Sequence, residues 1–441
     1  MFYIVESQAQ LHRLDLLMDD DVYVDIIKSN DRFHCKLASP VAVYIRPKST
    51  TQGFIVPLTH SDGLSVEKER IYETLSKAKS LFTLNKKNLL YYFNLQHAKD
   101  LNLIHSMTKF TKLEYLTSNT TIDWYYREHS SNHEINVIIP ITKLYERCEE
   151  VYDKVKHVIG QQLPEGFDFY NNTATNVFYL LEQGGVGVHQ EQFVEIFQPK
   201  DPIYNTTQHT VYTEYNLYNS TSRPTNTYNS VNFAAIPKTE QHRKCFKPQN
   251  DYFVELDFDG YHLRLLAEQL NYPLTSESAH IQLARQYFGK SEITDEEYTK
   301  AKQINFHAIY GKIPNEHKNL PIFKQVQEYI DNMWESFTQN GVVFNPQSGK
   351  PLTDKLQDMN PAKLMNYMMQ SLETSNNITI LKNVLRYLQD KKSFITLYTY
   401  DAILFDFSKQ DGKQTLEDIK NIMETGGKYP VKFKYNTNLL L

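Results

Sequence analysis

The sequence is poor in the features that mark several protein classes. Its 441 residues include only three cysteines, Cys35, Cys148 and Cys245, far apart and in no zinc or redox spacing. That excludes a disulfide framework and a cysteine metal cluster, and the expectation is a reducing, intracellular and cytoplasmic setting. No stretch approaches the roughly 18 consecutive apolar residues that a spanning helix needs, so no membrane association is expected. The opening Met1-Phe2-Tyr3-Ile4-Val5-Glu6 lacks the basic segment and apolar core of a secretory signal. Positive charge is also short: 47 Lys and Arg face 52 Asp and Glu, a formal net charge of −5. Read as a mean, that charge argues against a nucleic-acid binder.

What is abundant is aromatic: 31 Tyr, 24 Phe and 2 Trp make 13% of the chain. With a small net charge, this composition folds, and the length predicts two to four domains with sizeable cores. The charge is sorted along the chain. Residues 203–250 carry five basic against two acidic residues and 301–400 carry 11 against 8, whereas 251–300 carry 4 against 10. The mean therefore hides two basic tracts. Residues 1–125 alternate short apolar runs (Val22-Tyr23-Val24, Val41 to Ile45, Phe54-Ile55-Val56) with helix-like stretches over 69–82 and 86–98, which predicts an α/β unit. Apolar spacing predicts a helix over 142–159 and another over about 174–183, stopped by Gly184-Gly185. The segment 198–237 is rich in Asn, Thr and Tyr, too polar for a core, and reads as a functional loop.

Three constellations carry chemistry. In the first, Val254-Glu255-Leu256-Asp257-Phe258 alternates as a strand, Asp259-Gly260 breaks it, and Leu263, Leu266, Ala267 and Leu270 follow at helical spacing. Asp257 then sits at a strand end, where a carboxylate can hold a divalent cation together with substrate phosphates; a turn or capping aspartate fits the same segment. In the second, Thr294 and Glu297 form a capping box, and Gly311 with Pro314 supplies a stop. On the helix between them, Lys302, Phe306 and Tyr310 stack at i, i+4, i+8. A cation in line with two rings suits a nucleoside triphosphate; an ordinary helix burying two rings gives the same pattern. In the third, Phe394–Tyr398 and Ala402–Phe407 flank a polar break, predicting a hairpin with Asp401 at its tip.

Taken in order, these segments resemble the family A (polymerase-I-like) DNA polymerases. Asp257-Phe258-Asp259-Gly260-Tyr261-His262-Leu263-Arg264 resembles the first palm motif Asp-Tyr-Ser-Gln-Ile-Glu-Leu-Arg. Lys302-Gln303-Ile304-Asn305-Phe306-His307-Ala308-Ile309-Tyr310-Gly311 resembles the fingers motif Lys-x-x-Asn-Phe-Gly-x-x-Tyr-Gly, and Tyr400-Asp401-Ala402 resembles the His-Asp-Glu hairpin. Thr221-Ser222-Arg223 leading to Asn232, His280 before Phe288-Gly289, and Asn366-Tyr367-Met368-Met369-Gln370 follow in the family's order. The resemblance covers about 175–441. It implies two-metal phosphoryl transfer, with two Mg²⁺ ions held by Asp257, Asp401 and the Phe258 carbonyl. It places His262, His280, Lys302, Phe306 and Tyr310 around a dNTP. Arg223, Asn232, Asn366, Gln370 and Tyr400 would meet primer–template DNA near its terminus. The implied fold is α+β, a right-hand polymerase preceded by a degenerate RNase H-like exonuclease-type domain.

Departures from the pattern shape further expectations. His262 stands where the family has the Glu that crowds the sugar 2′ position, Tyr298 where a triphosphate-binding Arg is expected with Lys300 two residues on, His307 where a Gly is usual, and Ala234 where a template-contacting Gln is expected. Only 36 residues separate Gly185 from Thr221, too few for the family's helical thumb, so weak processivity or a processivity partner protein is expected. Around Asp25 and over Asn85–Leu89 the exonuclease pattern keeps one carboxylate of three or more, so proofreading is expected to be absent. The expected division is an exonuclease-like domain over 1–140 and a polymerase domain over 141–441. Within the latter, 141–200 is a reduced thumb, 201–270 with 375–441 the palm, and 271–374 the fingers. The compact size resembles a phage or mobile-element replicase. The alternative is a non-catalytic DNA-binding replication subunit on the same fold.

Overall fold

The computed structural model describes residues 3–118, 120–199, 209–221, 223–228, 231–310, 313–353 and 358–440. Ser222, Gly311 and the 200–208 part of the polar segment lie outside the described residues.

Strong β-formers at alternating spacing build a six-stranded N-terminal sheet from β1 (Tyr3–Ile4), β2 (Asp21–Lys28), β3 (Pro40–Pro47), β4 (Phe54–Pro57), β5 (Ser80–Thr83) and β6 (Lys99–Asp100), in the order β1-β4-β3-β2-β5-β6. β2, β3 and β4 form an antiparallel meander, and β5 and β6 continue it in parallel from β2. Both faces are covered: Val22 and Val24 face one core, and Tyr23 faces the other, which it shares with the C-terminal two thirds of the chain. The helix expected over 69–82 ends at Ser76, because Leu81 and Phe82 pair with Val22 and Tyr23 as a strand. The one expected over 86–98 ends at Tyr92.

The first connection between the two parts is a buried ion pair. At the start of the Lys86–Tyr92 helix, the Lys87 ammonium meets Glu182 and donates to the Tyr215 carbonyl at 2.7 Å, while the Tyr215 amide donates to Glu182 at 2.7 Å. The helix expected over 142–159 runs from Ile141 to Val155 and buries Leu144, Cys148, Val151 and Val155. The one expected over 174–183 spans Thr175–Leu181 and continues a π-helical turn, Phe169–Ala174.

The C-terminal sheet is antiparallel, with strands in the order Phe394–Thr399, Ala402–Phe407, Tyr252–Phe258, Val431–Asn436. One of its faces is buried against Tyr261–Gln269 and the 27-residue helix Pro361–Tyr387. That long helix buries apolar residues along most of its length but has a buried polar centre, Ser371, Glu373, Thr374, Ser375 and Asn377. The molecule is thus a mixed α+β fold, as expected.

Candidate active site

Above the C-terminal sheet, the helices Tyr261–Gln269, Asp295–Ile309 and Pro361–Tyr387 wall a cavity of about 460 Å³. Asp257 reaches it as the last residue but one of its strand, and Asp401 from the two-residue turn between Thr399 and Ala402. Antiparallel register sets Asp257 opposite Ala402, and the Phe258 amide donates to the Asp401 carbonyl at 3.1 Å, so the two carboxylates share one end of the sheet. Burial pushes the Asp257 carboxyl up to about 6, with the Asp401 charge adding to the effect. Asp401 is raised as well, by desolvation within the cleft and by repulsion from Glu373. Among the described residues neither carboxylate has an ion-pair partner, and no group of three or more His, Cys, Asp or Glu could hold a metal by side chains alone. Two like charges held together without a cation fit a divalent ion whose remaining ligands come from backbone and substrate oxygens.

The turn that carries Asp401 is held from several sides. Tyr400 adopts φ 60°, a left-handed conformation that costs a non-glycine residue about 1–3 kcal/mol and persists only where its surroundings fix it. Its carbonyl accepts from Asn377 Nδ2 at 2.9 Å, and the Arg223 guanidinium stacks 3.7 Å from its ring centroid.

The wall opposite is the Asp295–Ile309 helix, begun by the expected Thr294–Glu297 capping box. It brings Lys302, Phe306 and Tyr310 to the cavity. Lys302 is exposed and makes no ion pair among the described residues; Phe306 is 60% exposed with its ring 5.3 Å from that of Tyr310, edge-on. His280 is held by Asn305, whose Nδ2 lies 2.9 Å from its Nδ1, and Asn305 Oδ1 in turn accepts from Tyr287. That relay makes Nδ1 the acceptor and leaves the proton on Nε2. Burial lowers the His280 pKa to about 4, so the ring is neutral at pH 7.

The structure also gathers residues that the motifs did not flag. Glu373, 1% exposed at its side chain, accepts from Arg223 Nε at 3.0 Å and from a terminal guanidinium nitrogen at 3.1 Å. The same carboxylate lies 2.5 Å from His262 Nε2, and His262 Nδ1 lies 2.9 Å from the Tyr310 hydroxyl. A Thr221–Gln370–Asn366 hydrogen-bond chain (3.2 and 3.1 Å) borders this network. Asp259, Tyr298 and Lys432 line the cavity too. The one signal for Glu373 was a polar run in an otherwise apolar helix. Lys300, by contrast, points its ammonium at the Phe288 ring, 5.9 Å from the centroid, and does not line the cavity. Asn232 caps the turn Phe233–Ala235 and lies outside it, and Tyr400 contributes through Arg223. Every other residue singled out by the resemblance for metal, nucleotide or DNA lines this one cavity.

A second cavity, about 440 Å³, opens on the N-terminal sheet beside Asp25, Asp31, Asn85, Asn88 and Arg147. Burial raises Asp25 to about 6, whereas Asp31, its side chain 42% exposed, is tied to Arg147 at 2.7 Å, and that guanidinium outweighs desolvation and holds it below the ordinary carboxylate range. Lys86 and Lys87 turn away from it into the interior.

The fold is similar to that of a polymerase-I-type polymerase domain. One similar solved structure is the POL domain of Pol1 from M. smegmatis in complex with DNA primer–template and dNTP, at a TM-score of 0.67 over 100% of this chain and 99% of that one. Sequence identity is 13%, so the likeness is one of fold. No protein-family model matches the sequence.

Proposed function

We propose that the chain is a template-directed DNA polymerase that extends a primer 3′-hydroxyl with dNTPs. The observation that carries this reading is the unpaired carboxylate couple, Asp257 and Asp401, facing Lys302, Phe306 and Tyr310 across one cavity. Asp257, Asp401 and the Phe258 carbonyl would hold two Mg²⁺ ions, which when bound activate the 3′-hydroxyl and stabilise the pyrophosphate leaving group.

The protein's own groups have separable roles. Lys302 offers a mobile point charge to the triphosphate, and neutral His280 donates a hydrogen bond from Nε2 without adding charge. Phe306 and Tyr310 offer stacking faces that accept any base. His262, clamped between Tyr310 and Glu373, walls the sugar side, which supports reduced but measurable rejection of ribonucleotides. Arg223, Gln370 and Asn366 would meet the primer–template from the side of the Pro361–Tyr387 helix.

The same reading divides the chain into an exonuclease-like unit over 1–140, a reduced thumb over 141–200, a palm over 201–270 with 375–441, and fingers over 271–374, the Pro361–Tyr387 helix running from fingers into palm. The β2–β6 order, a meander extended by two parallel strands, supports an RNase H-like ancestry for the first unit. Pairing of Asp31 with Arg147 leaves Asp25 without a second available carboxylate, which supports loss of proofreading. The helix Ile141–Val155 is packed into the core instead of projecting to grip a duplex, which supports distributive synthesis or a partner that supplies grip.

The test is single-nucleotide insertion by the purified chain with Mg²⁺ opposite each template base. Incorporation of only the complementary dNTP is expected. Binding of primer–template with no incorporation would leave a non-catalytic DNA-binding subunit.

A further inference from the structure

Lys302 is the one cation that the Asp295–Ile309 helix aims at the cavity, while Asp257, Asp259 and Asp401 all line it; Arg223, which also lines it, is already neutralised by Glu373. A triphosphate entering here would meet more negative than positive charge. The position on that helix where a second cation would serve is Tyr298, and Lys300 is turned away.

The missing charge comes from another element. Lys432, on the edge strand Val431–Asn436, lines the same cavity as His280, Tyr298 and Lys302. Its place is fixed by register: it sits directly opposite Asp257 on the neighbouring strand, so both side chains leave the same face of the sheet. Its ammonium is 2.5 Å from Asp259, with the Lys432 side chain 60% exposed. The lysine is the open half of the pair, the Asp259 side chain being 11% exposed, so the ammonium is free to swing from this one carboxylate to a polyanion of higher charge. Lys434, two residues on, faces Glu255 at 3.5 Å and is not part of the cavity wall.

We propose that Lys432 is a triphosphate-binding residue: it rests on Asp259 in the free protein and transfers to the phosphates of the incoming nucleotide, supplying from the C-terminal strand the charge that Tyr298 does not. This rests on the polymerase reading above. The experiment measures dNTP affinity, inhibition by inorganic pyrophosphate and primer–template affinity for the wild-type chain and for Lys432→Ala, Lys432→Arg and Lys434→Ala. For Lys432→Ala, dNTP and pyrophosphate affinity should both weaken about tenfold, the loss of one charged contact. Primer–template affinity should stay within twofold. Lys432→Arg should recover most of the loss, and Lys434→Ala should match wild type. A wild type that extends primers beside a Lys432→Ala variant of unchanged dNTP and pyrophosphate affinity overturns the proposal alone. Equal weakening by Lys434→Ala overturns it too, because the effect would then be general surface charge. A wild type that extends no primer overturns the reading beneath it.

Discussion

Glu373 gives the sharpest stability prediction, because one buried carboxylate serves two cationic or polar partners. It takes two guanidinium hydrogen bonds from Arg223 and one contact from His262, with its own side chain 1% exposed. Removing one member of a buried pair costs about 3–5 kcal/mol, since the other charge is left uncompensated. Arg223 softens that figure: its side chain is 24% exposed, and it keeps the Tyr400 ring, a contact worth up to ~2 kcal/mol. For Glu373→Gln, which preserves shape and removes charge, the expected destabilisation is about 2–3 kcal/mol. The decisive form is a double-mutant cycle with Arg223→Met, followed by urea unfolding at pH 7. If the pair is real, the double variant is less destabilised than the two singles added, by at least ~1.5 kcal/mol. Additivity within about 0.5 kcal/mol would refute the buried pair as the anchor of the Asp401 turn.

Three further outcomes follow from named contacts. His34 is fully buried and its pKa is lowered to about 3 by desolvation, so the folded state stays neutral where the unfolded chain gains a proton. Stability relative to His34→Gln is therefore fully present above pH 6.5 and falls by about 1.4 kcal/mol per unit as pH drops toward 3; parallel pH profiles for the two proteins by chemical denaturation would contradict it. His262→Ala opens the sugar side of the cavity and releases Tyr310. The ratio of ribonucleotide to deoxyribonucleotide kcat/KM should rise about tenfold, the scale of a lost pocket contact, and an unchanged ratio would remove His262 from sugar selection. End-labelled single strands should survive incubation with wild type and with Asp25→Ala alike; degradation that disappears in Asp25→Ala would show a working nuclease in the N-terminal cavity.

The cavity was largely legible because its parts are local signals. Asp257 lies next to the end of an alternating strand, Asp401 tips a hairpin, and a capping box fixes the helix that carries Lys302 and Phe306 and is capped by Tyr310. Glu373 and Lys432 were not, for different physical reasons. Glu373 lies inside a long helix whose spacing reads as core, and only its partners, 150 and 111 residues away, give it a role. Lys432 belongs to a strand whose alternating pattern predicts a face but no register, and register alone sets it opposite Asp257. The short strand Ser80–Thr83 was missed because its pairing with β2 overrides a local pattern that reads as helix. The net charge of −5 misled for a related reason: a sum over the chain cannot show that acids cluster where a cation is wanted.

The central claim is that Asp257 and Asp401 are the metal-holding pair of a polymerase, and the most direct test is the rate of correct-nucleotide insertion with Mg²⁺ for wild type beside Asp401→Ala. Insertion by the wild type that falls at least ~1,000-fold in the variant, about 4 kcal/mol in the barrier, with primer–template affinity retained, is the predicted result. Insertion at the wild-type rate by Asp401→Ala would contradict it.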